Sequence, residues 1–305
     1  MIQVSVILPI YNGAKTLNNT LESLVEQSFS DFEVVACIDG STDDSELILL
    51  QFASKFKKLT ILKNKVNRGL GPTMNRLVHN TQGDYIAVAE QDDYYYPDRL
   101  KLQVELLDTN KSIGLVSGIA EFCNGDRVHG KFPGLLVHGK HYPTGIDMFI
   151  LNYKYHVKVV NSCMMFRKST HVDNGLYFTQ HYPSISVDWT YILRFSLLSN
   201  IHGLPHVLVR LDRRPERDSV TSNKGKQFKA TRELLRSFAY EYSDIITDTD
   251  YKYAMRSQYL LEISSKNGLA YVRTWLWFFI QCPFEKRYIN NLKRRISQKI
   301  KIFSN

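Results

Sequence analysis

Three carboxylates crowd into four positions at the end of an apolar run. The stretch YIAVAEQDDYYYP, residues 85–97, sets Glu90, Asp92 and Asp93 directly after five residues suited to a buried strand. Like charges at the mouth of a core strand repel, and desolvating them is costly unless something positive sits between them. Mg²⁺ and Mn²⁺ prefer such oxygen ligands, and are usually held by one or two carboxylates, several waters and a substrate's phosphates. An Asp-Asp pair is an incomplete cage of that kind, which a diphosphate would complete. A solvated acidic loop is the plainer reading of the pair taken alone; its position at a strand end favours the metal.

Two periodicities alternate through the first 120 residues. VSVILPI (4–10), FEVVACI (32–38), LTILK (59–63), YIAVA (85–89) and IGLVSG (113–118) are short apolar runs, as in strands buried on both faces of a parallel sheet. Between them, Leu17, Leu21, Leu24 and Val25, and again Leu70, Met74, Leu77 and Val78, fall at i, i+4, i+7 and i+8, a helical stripe. Alternating strand and helix predicts right-handed βαβ units in an open α/β sheet. Polar residues collect where the strands end: Tyr11-Asn12-Gly13, then Asp39 to Asp44, then Glu90 to Asp93. Ligands of open α/β sheets bind beyond the carboxyl ends of the strands, so three loops converge on one crevice. Farther along, 160–169 reads as a strand leaving a turn, 186–198 as a helix with Asp188 in its first turn, and 225–305 as mainly helical.

The bulk composition excludes several classes. Of 305 residues, 44% are hydrophobic and 23% charged, which suits a folded protein with a sizeable core. Cys37, Cys123, Cys163 and Cys282 form no CxxC pair, so they read as reduced thiols. The opening MIQVSVILPIYNG lacks a secretory pattern, and WLWFFI (275–280) is far below the about 20 residues that span a bilayer. Net charge is +9, but seven Lys or Arg and no acid lie in 286–301; the body is nearly balanced, and no nucleic-acid partner is expected.

The first of these segments, VSVILPIYNGAKTLNNTLESLVEQSFSDFEVVACIDGSTDDS, followed by NRGLGPTMNRLVHNTQGDYIAVAEQDDYYYPDRLKLQ, resembles the nucleotide-sugar-binding half of the inverting glycosyltransferases of family 2. The resemblance covers residues 2–120 strongly and 160–222 more weakly. It implies the GT-A fold: a Rossmann-like open mixed sheet with helices on both faces, here with a C-terminal helical extension. The halves would be 1–120 for the nucleotide sugar and 121–224 for the acceptor, with 225–305 as the extension and its basic amphipathic tail.

By the same resemblance, Pro9, Tyr11 and Asn12 line the nucleotide pocket, and Asp39 accepts a hydrogen bond from the base, uracil or another. Asn67, Gly69 and Asn75 lie near base and ribose. Asp92 faces ribose or metal, Asp93 ligates the Mg²⁺ or Mn²⁺ directly, and Arg213 and Arg214 approach the diphosphate, although a solvated charge run explains those two equally well. Ile38, Glu90 and Val187 stand where the family commonly has Asp, Asp and Glu. Inverting transfer needs a base to take the acceptor's proton, and Asp188 matches the family's aspartate there; the plainer reading is a first-turn helix residue.

Tyr94, Tyr95 and Tyr96 are candidates for stacking on a sugar; His138, His141, His156 and His181 have no metal-ligand spacing. In the tail, Ile289, Leu292, Ile296 and Ile300 form one stripe flanked by Lys293, Arg294 and Lys299. With Trp275, Trp277 and Phe278 upstream, residues 275–305 suit contact with an anionic membrane, and packing against the protein is the alternative. The expected protein is a cytoplasmic transferase, peripheral on the inner membrane face. It takes a nucleotide-sugar donor and a saccharide or lipid-linked saccharide acceptor. A nicotinamide enzyme would need a GxGxxG turn where this chain has PIYNGAKT, and a nucleotidyltransferase a Gly-rich triphosphate turn. A catalytically inactive nucleotide-sugar-binding module is the alternative that survives.

Overall fold

The runs read as doubly buried strands lie between two helical layers, except LTILK, which forms the half-exposed edge strand. The computed structural model describes residues 2–125, 127–132, 142–155, 159–181, 184–212, 224–283 and 285–293. Its strands are β1 (Val4–Ile10), β2 (Phe32–Asp39), β3 (Leu59–Asn64), β4 (Tyr85–Val88), β5 (Asp93–Tyr95), β6 (Ile113–Asn124), β7 (Arg127–Phe132), β8 (Met165–Arg167) and β9 (Asn200–Asp212). The helices are α1 (Leu17–Val25), α2 (Ser45–Gln51), α3 (Leu70–His79), α4 (Arg99–Thr109), α5 (Gly145–Tyr155), α6 (Lys168–Asp173), α7 (Val187–Ser196), α8 (Lys224–Glu241), α9 (Asp248–Ser264) and α10 (Gly268–Gln281). The sheet runs β3-β2-β1-β4-β8-β6-β9-β5, with β7 beside β6. β3, β2, β1 and β4 are parallel, so the loops after β1, β2 and β4 leave from one edge. β8 runs antiparallel to β4 and β6, which makes the sheet mixed.

Period-two alternation sorts the core onto the two faces. Val4, Val6, Leu8 and Ile10 meet Leu17, Leu21 and Leu24 of α1 and Leu100, Val104 and Leu107 of α4. Ile7, Val35 and Val88 meet Met74, Leu77 and Val78 of α3 and Tyr191, Ile192 and Phe195 of α7. By internal contacts the chain divides into two units, residues 1–152 with 156–222, and residues 153–155 with 223–305. In the second, Ile263, Tyr271, Phe278 and Tyr288 form a separate apolar cluster. All four cysteines are free, as their spacing indicates.

Three local readings change. Of 160–169, only Met165–Arg167 is strand, preceded by a single 3₁₀ turn and followed by α6. Residues 200–212, for which the sequence pattern indicates no element, form the 13-residue β9, whose Gly203 and Pro205 break the apolar pattern without breaking the strand. The third is the acidic segment itself: Asp93 opens a strand rather than lying in a loop.

Behind α7 a buried histidine gives the fold a defined acid sensitivity. His171 Nδ1 lies 2.9 Å from the Tyr191 hydroxyl among Phe166, Phe178 and Tyr191, and burial pushes its pKa down to about 4. The unfolded chain therefore takes up this proton near pH 6.5 and the folded chain not until about pH 4. Stability is full above the unfolded value and is lost as pH falls, by up to ~3 kcal/mol over the whole window. Urea unfolding at pH 7 and pH 4.5 checks this. His171→Gln should flatten the pH dependence, and an unchanged slope would remove His171 as its cause.

Candidate active site

The acidic segment folds so that its three carboxylates face one another. Oxygens of Glu90, Asp92 and Asp93 all lie within 4.8 Å of one another, with Asp93 buried and the other two half-buried. The donor set is all carboxylate, with no thiolate or imidazole, and suits a hard divalent cation. β5 fixes Asp93: the Asp93 carbonyl accepts from Thr20 Oγ1 of α1 at 2.8 Å, and the strand pairs with β9. Glu90, whose role the sequence leaves open, accepts from Asn161 Nδ2 at 2.6 Å, and its backbone N–H donates to the Tyr95 hydroxyl at 2.7 Å.

The protein also supplies a cation of its own beneath this cluster, one that the sequence reading missed. Arg99 is fully buried with its guanidinium 4.4 Å over the Tyr95 ring. Its Nη2 donates to the Val88 carbonyl at 2.6 Å and its Nε to Gln103 Oε1 at 3.3 Å; Gln103 in turn donates to the Cys163 carbonyl at 2.5 Å. Burial lowers the Arg99 pKa, while the charges of Tyr95, Cys163 and Asp93 act the other way. A signal was present in the sequence: an arginine at the first position of a helix, where the macrodipole favours an anion, needs another reason to be there.

Hydrogen bonds knit the three loops at the sheet edge together. Gln91, inside the acidic segment, accepts from the Tyr11 N–H at 2.8 Å and donates to the Tyr11 carbonyl at 2.9 Å. Asn12 takes the left-handed conformation, φ 49°, so that its Oδ1 accepts from Thr42 N at 2.9 Å while its own N–H reaches Ser41 Oγ at 3.1 Å. Gly13 donates to Ser45 Oγ and Ala14 to Asp43. Burial would raise the Asp43 carboxyl, but hydrogen bonds from the Ser45 hydroxyl and the Ala14 and Ser45 N–H groups outweigh it and hold the pKa low. Pro9 is half-buried at the end of β1 opposite Cys37, and the Tyr11 side chain is exposed above it.

Asp39 and Asn67–Gly69 form a second knot beside the first. Asp39, buried at the end of β2, accepts from Asn64 Nδ2 (2.7 Å) and the N–H groups of Arg68 (2.9 Å) and Gly69 (3.0 Å). Asn67 Oδ1 accepts from Gly69 N at 2.8 Å, and Gly69 sits at φ 88°, a conformation glycine adopts at no steric cost. The Asn75 amide pairs both ways with the Phe178 backbone, at 2.9 and 2.8 Å, and so braces α3 against residues 176–179. Gly71 belongs to the same contact, since a Cβ there would lie 1.9 Å from the Thr179 carbonyl oxygen.

Asp188 is the second residue of α7, whose preceding Ser186 takes a left-handed conformation at φ 52°. Two residues before Ser186, Ser184 Oγ accepts from Leu70 N at 3.4 Å, tying this approach to the start of α3, next to Gly69. Burial raises the Asp188 pKa above the ordinary carboxylate value, opposed by the N–H groups of Trp189 and Asp188 itself. Val187, where an acid is common in the family, packs in the apolar cluster with Tyr191 and Phe195; Ile38 likewise belongs to the opposite core.

The tyrosine triplet divides. Tyr95 is wholly buried beneath Arg99 and cannot stack on a sugar, because alternation along β5 turns it inward. Tyr94 and Tyr96 are half-buried and meet edge to face at 5.6 Å, and the Tyr96 hydroxyl donates to Glu121 at 2.7 Å. His181 is exposed. Arg213, Arg214, His138, His141 and His156 lie outside the described residues.

The model of the family "Glycosyl transferase family 2" matches residues 5–172. The chain is 30% identical to EpsE of Bacillus subtilis, named as a glycosyltransferase, over 58% of this chain and 66% of EpsE, just under two thirds of that relative. It is 24% identical to the Escherichia coli UDP-Glc:alpha-D-GlcNAc-diphosphoundecaprenol beta-1,3-glucosyltransferase WfgD over 77% of this chain and 86% of WfgD. Among solved structures, S. aureus TarS 1-349 in complex with UDP-GlcNAc superposes with a TM-score of 0.65 at 20% identity, covering 95% of this chain and 79% of that one. The mannosyltransferase PcManGT from Pyrobaculum calidifontis, in complex with GDP-Man and Mn²⁺, gives 0.57 at 16% identity, covering 95% and 84%. These two likenesses establish a shared fold.

Proposed function

The chain belongs to glycosyl transferase family 2 and is a glycosyltransferase, and from that premise we propose the reaction it carries out. It moves a sugar from a nucleoside diphosphate donor, with UDP the favoured nucleotide, to a saccharide or lipid-linked saccharide, inverting the anomeric centre. The product belongs to a surface polysaccharide or glycolipid. The observation that carries the reading is the facing of Glu90, Asp92 and Asp93 at the edge where the β1, β2 and β4 loops are hydrogen-bonded together. The UDP-linked donor and lipid diphosphate acceptor in WfgD's name support the substrate classes.

In this reading Pro9, Tyr11 and Asn12 wall the nucleotide pocket. Asp39 meets the base while holding the turn that carries Asn67 and Gly69, and these two lie with Asn75 near base and ribose. Asp93 and Asp92, with Glu90 beside them, would hold the cation, and Asp92 would also face the ribose. Mg²⁺ or Mn²⁺ bound there with the donor's diphosphate would supply positive charge against the charge developing on the leaving group. Arg213 and Arg214 approach the same diphosphate. Asp188 takes the proton of the acceptor hydroxyl as that oxygen attacks from the face opposite the leaving group.

A panel of nucleoside diphosphate sugars with Mn²⁺ tests the proposal. One donor should release nucleoside diphosphate slowly without acceptor and faster with a saccharide acceptor, chelation should stop it, and the product should carry the opposite anomeric configuration. No release from any donor would instead favour an inactive binding module.

A further inference from the structure

α10, GLAYVRTWLWFFIQ, has two apolar faces and only one charged residue. One face is used internally: Tyr271 and Phe278 are buried with Ile263 and Tyr288, and Trp275 Nε1 donates to the Tyr288 carbonyl at 3.1 Å. The other face has no such use. Leu269 (73% exposed), Val272 (47%), Leu276 (49%) and Ile280 (73%) follow a 3-4-4 spacing, and Trp277 (52%) stands beside them. Scattered exposed leucines are ordinary, but five large apolar side chains on one helical face mark a contact surface.

Charge selects the occupant. Arg273 lies within the stripe and is exposed, as are Lys266, Lys286 and Lys293 in the flanking segments, while Glu285 there is half-buried and pairs with Arg287 and Arg256. An apolar stripe whose exposed flanking charges are cationic complements the headgroups and upper acyl region of an anionic bilayer. At 14 residues α10 is about 21 Å long, and no helix among the described residues is long and apolar enough to cross a membrane. It would lie in the interface plane. Of the tail stripe, Leu292 packs against the Tyr288 cluster, and Ile296 and Ile300 lie outside the described residues. Of the aromatics named with it, Phe278 is buried and only Trp277 is exposed.

We propose that the outer face of α10 docks the protein on an anionic lipid surface through Leu269, Val272, Leu276, Trp277 and Ile280. Its purpose rests on the lipid-linked-acceptor reading; the surface itself does not. Flotation of the full chain with phosphatidylglycerol-containing phosphatidylethanolamine vesicles, against pure phosphatidylcholine vesicles, tests it. Binding should require the anionic lipid, weaken with salt, and fall at least tenfold in Leu276→Glu/Ile280→Glu, with far-UV circular dichroism unchanged because both positions are exposed. Trp277 emission should shift to the blue on binding, and the shift should vanish in Trp277→Phe. Unchanged binding by the double variant overturns the proposal. Self-association through this face without vesicle binding also overturns it, in favour of a second copy. Nucleoside diphosphate release measured in solution without vesicles separates failure of docking from failure of the glycosyl-transfer reading.

Discussion

Asp93→Asn removes transfer, by on the order of 10³-fold in kcat, and leaves the fold standing. Asp93 is 2% exposed and fixed by strand pairing with Leu211 and by the Thr20 bond to its carbonyl. Its carboxylate is therefore held within reach of Glu90 and Asp92 whether or not anything is bound. Asparagine keeps the shape and the backbone bonds but replaces an anionic oxygen with an amide, which is a poor ligand for a hard cation. Removing one of three mutually repelling carboxylates also relieves repulsion, so the thermal midpoint should stay within a few degrees of the parent. Steady-state kinetics at saturating donor and a melting curve check both halves. Near-parental turnover would remove Asp93 from the site, and a collapsed melting transition would make its role structural.

Asp188→Asn should separate binding from chemistry. A base acts on the acceptor's proton, so its loss should cost about 10²- to 10⁴-fold in kcat while donor affinity measured by calorimetry is unchanged. The pH profile carries a second signature. Burial raises the Asp188 pKa, and the base works only when deprotonated. Activity should then rise with pH through a value above the ordinary carboxylate range, and the residual activity of the variant should lack that limb. A loss of donor affinity matching the loss of rate would assign Asp188 to the binding wall instead.

The central sheet was legible because burial on both faces leaves little choice of residue: β1, β2 and β4 are buried almost throughout. The acidic cluster was legible because carboxylates at a strand mouth contradict that rule. What could not be read depends on contacts distant in sequence. The bond from Asn75 to Phe178 spans 103 residues. Tyr95 resembles its neighbours, and only pairing with Val209 of β9 turns it inward. β9 itself was hidden by Gly203 and Pro205. Arg99 was readable as an anomaly at a helix start, but its partners at Val88 and Gln103 appear only when β4 and α4 are packed together. The outer stripe of α10 was obscured because its inner stripe is equally apolar, and sequence alone does not say which one the domain uses.

The most direct measurement of the central claim is Mn²⁺ electron paramagnetic resonance with UDP, on the parent chain and on Asp93→Asn. The parent should take up Mn²⁺ weakly alone and tightly when UDP is added, with the free-ion signal falling at one equivalent, and the variant should leave that signal in solution. Equal Mn²⁺ uptake by both proteins, or UDP binding in the parent that is indifferent to Mn²⁺, would contradict the account.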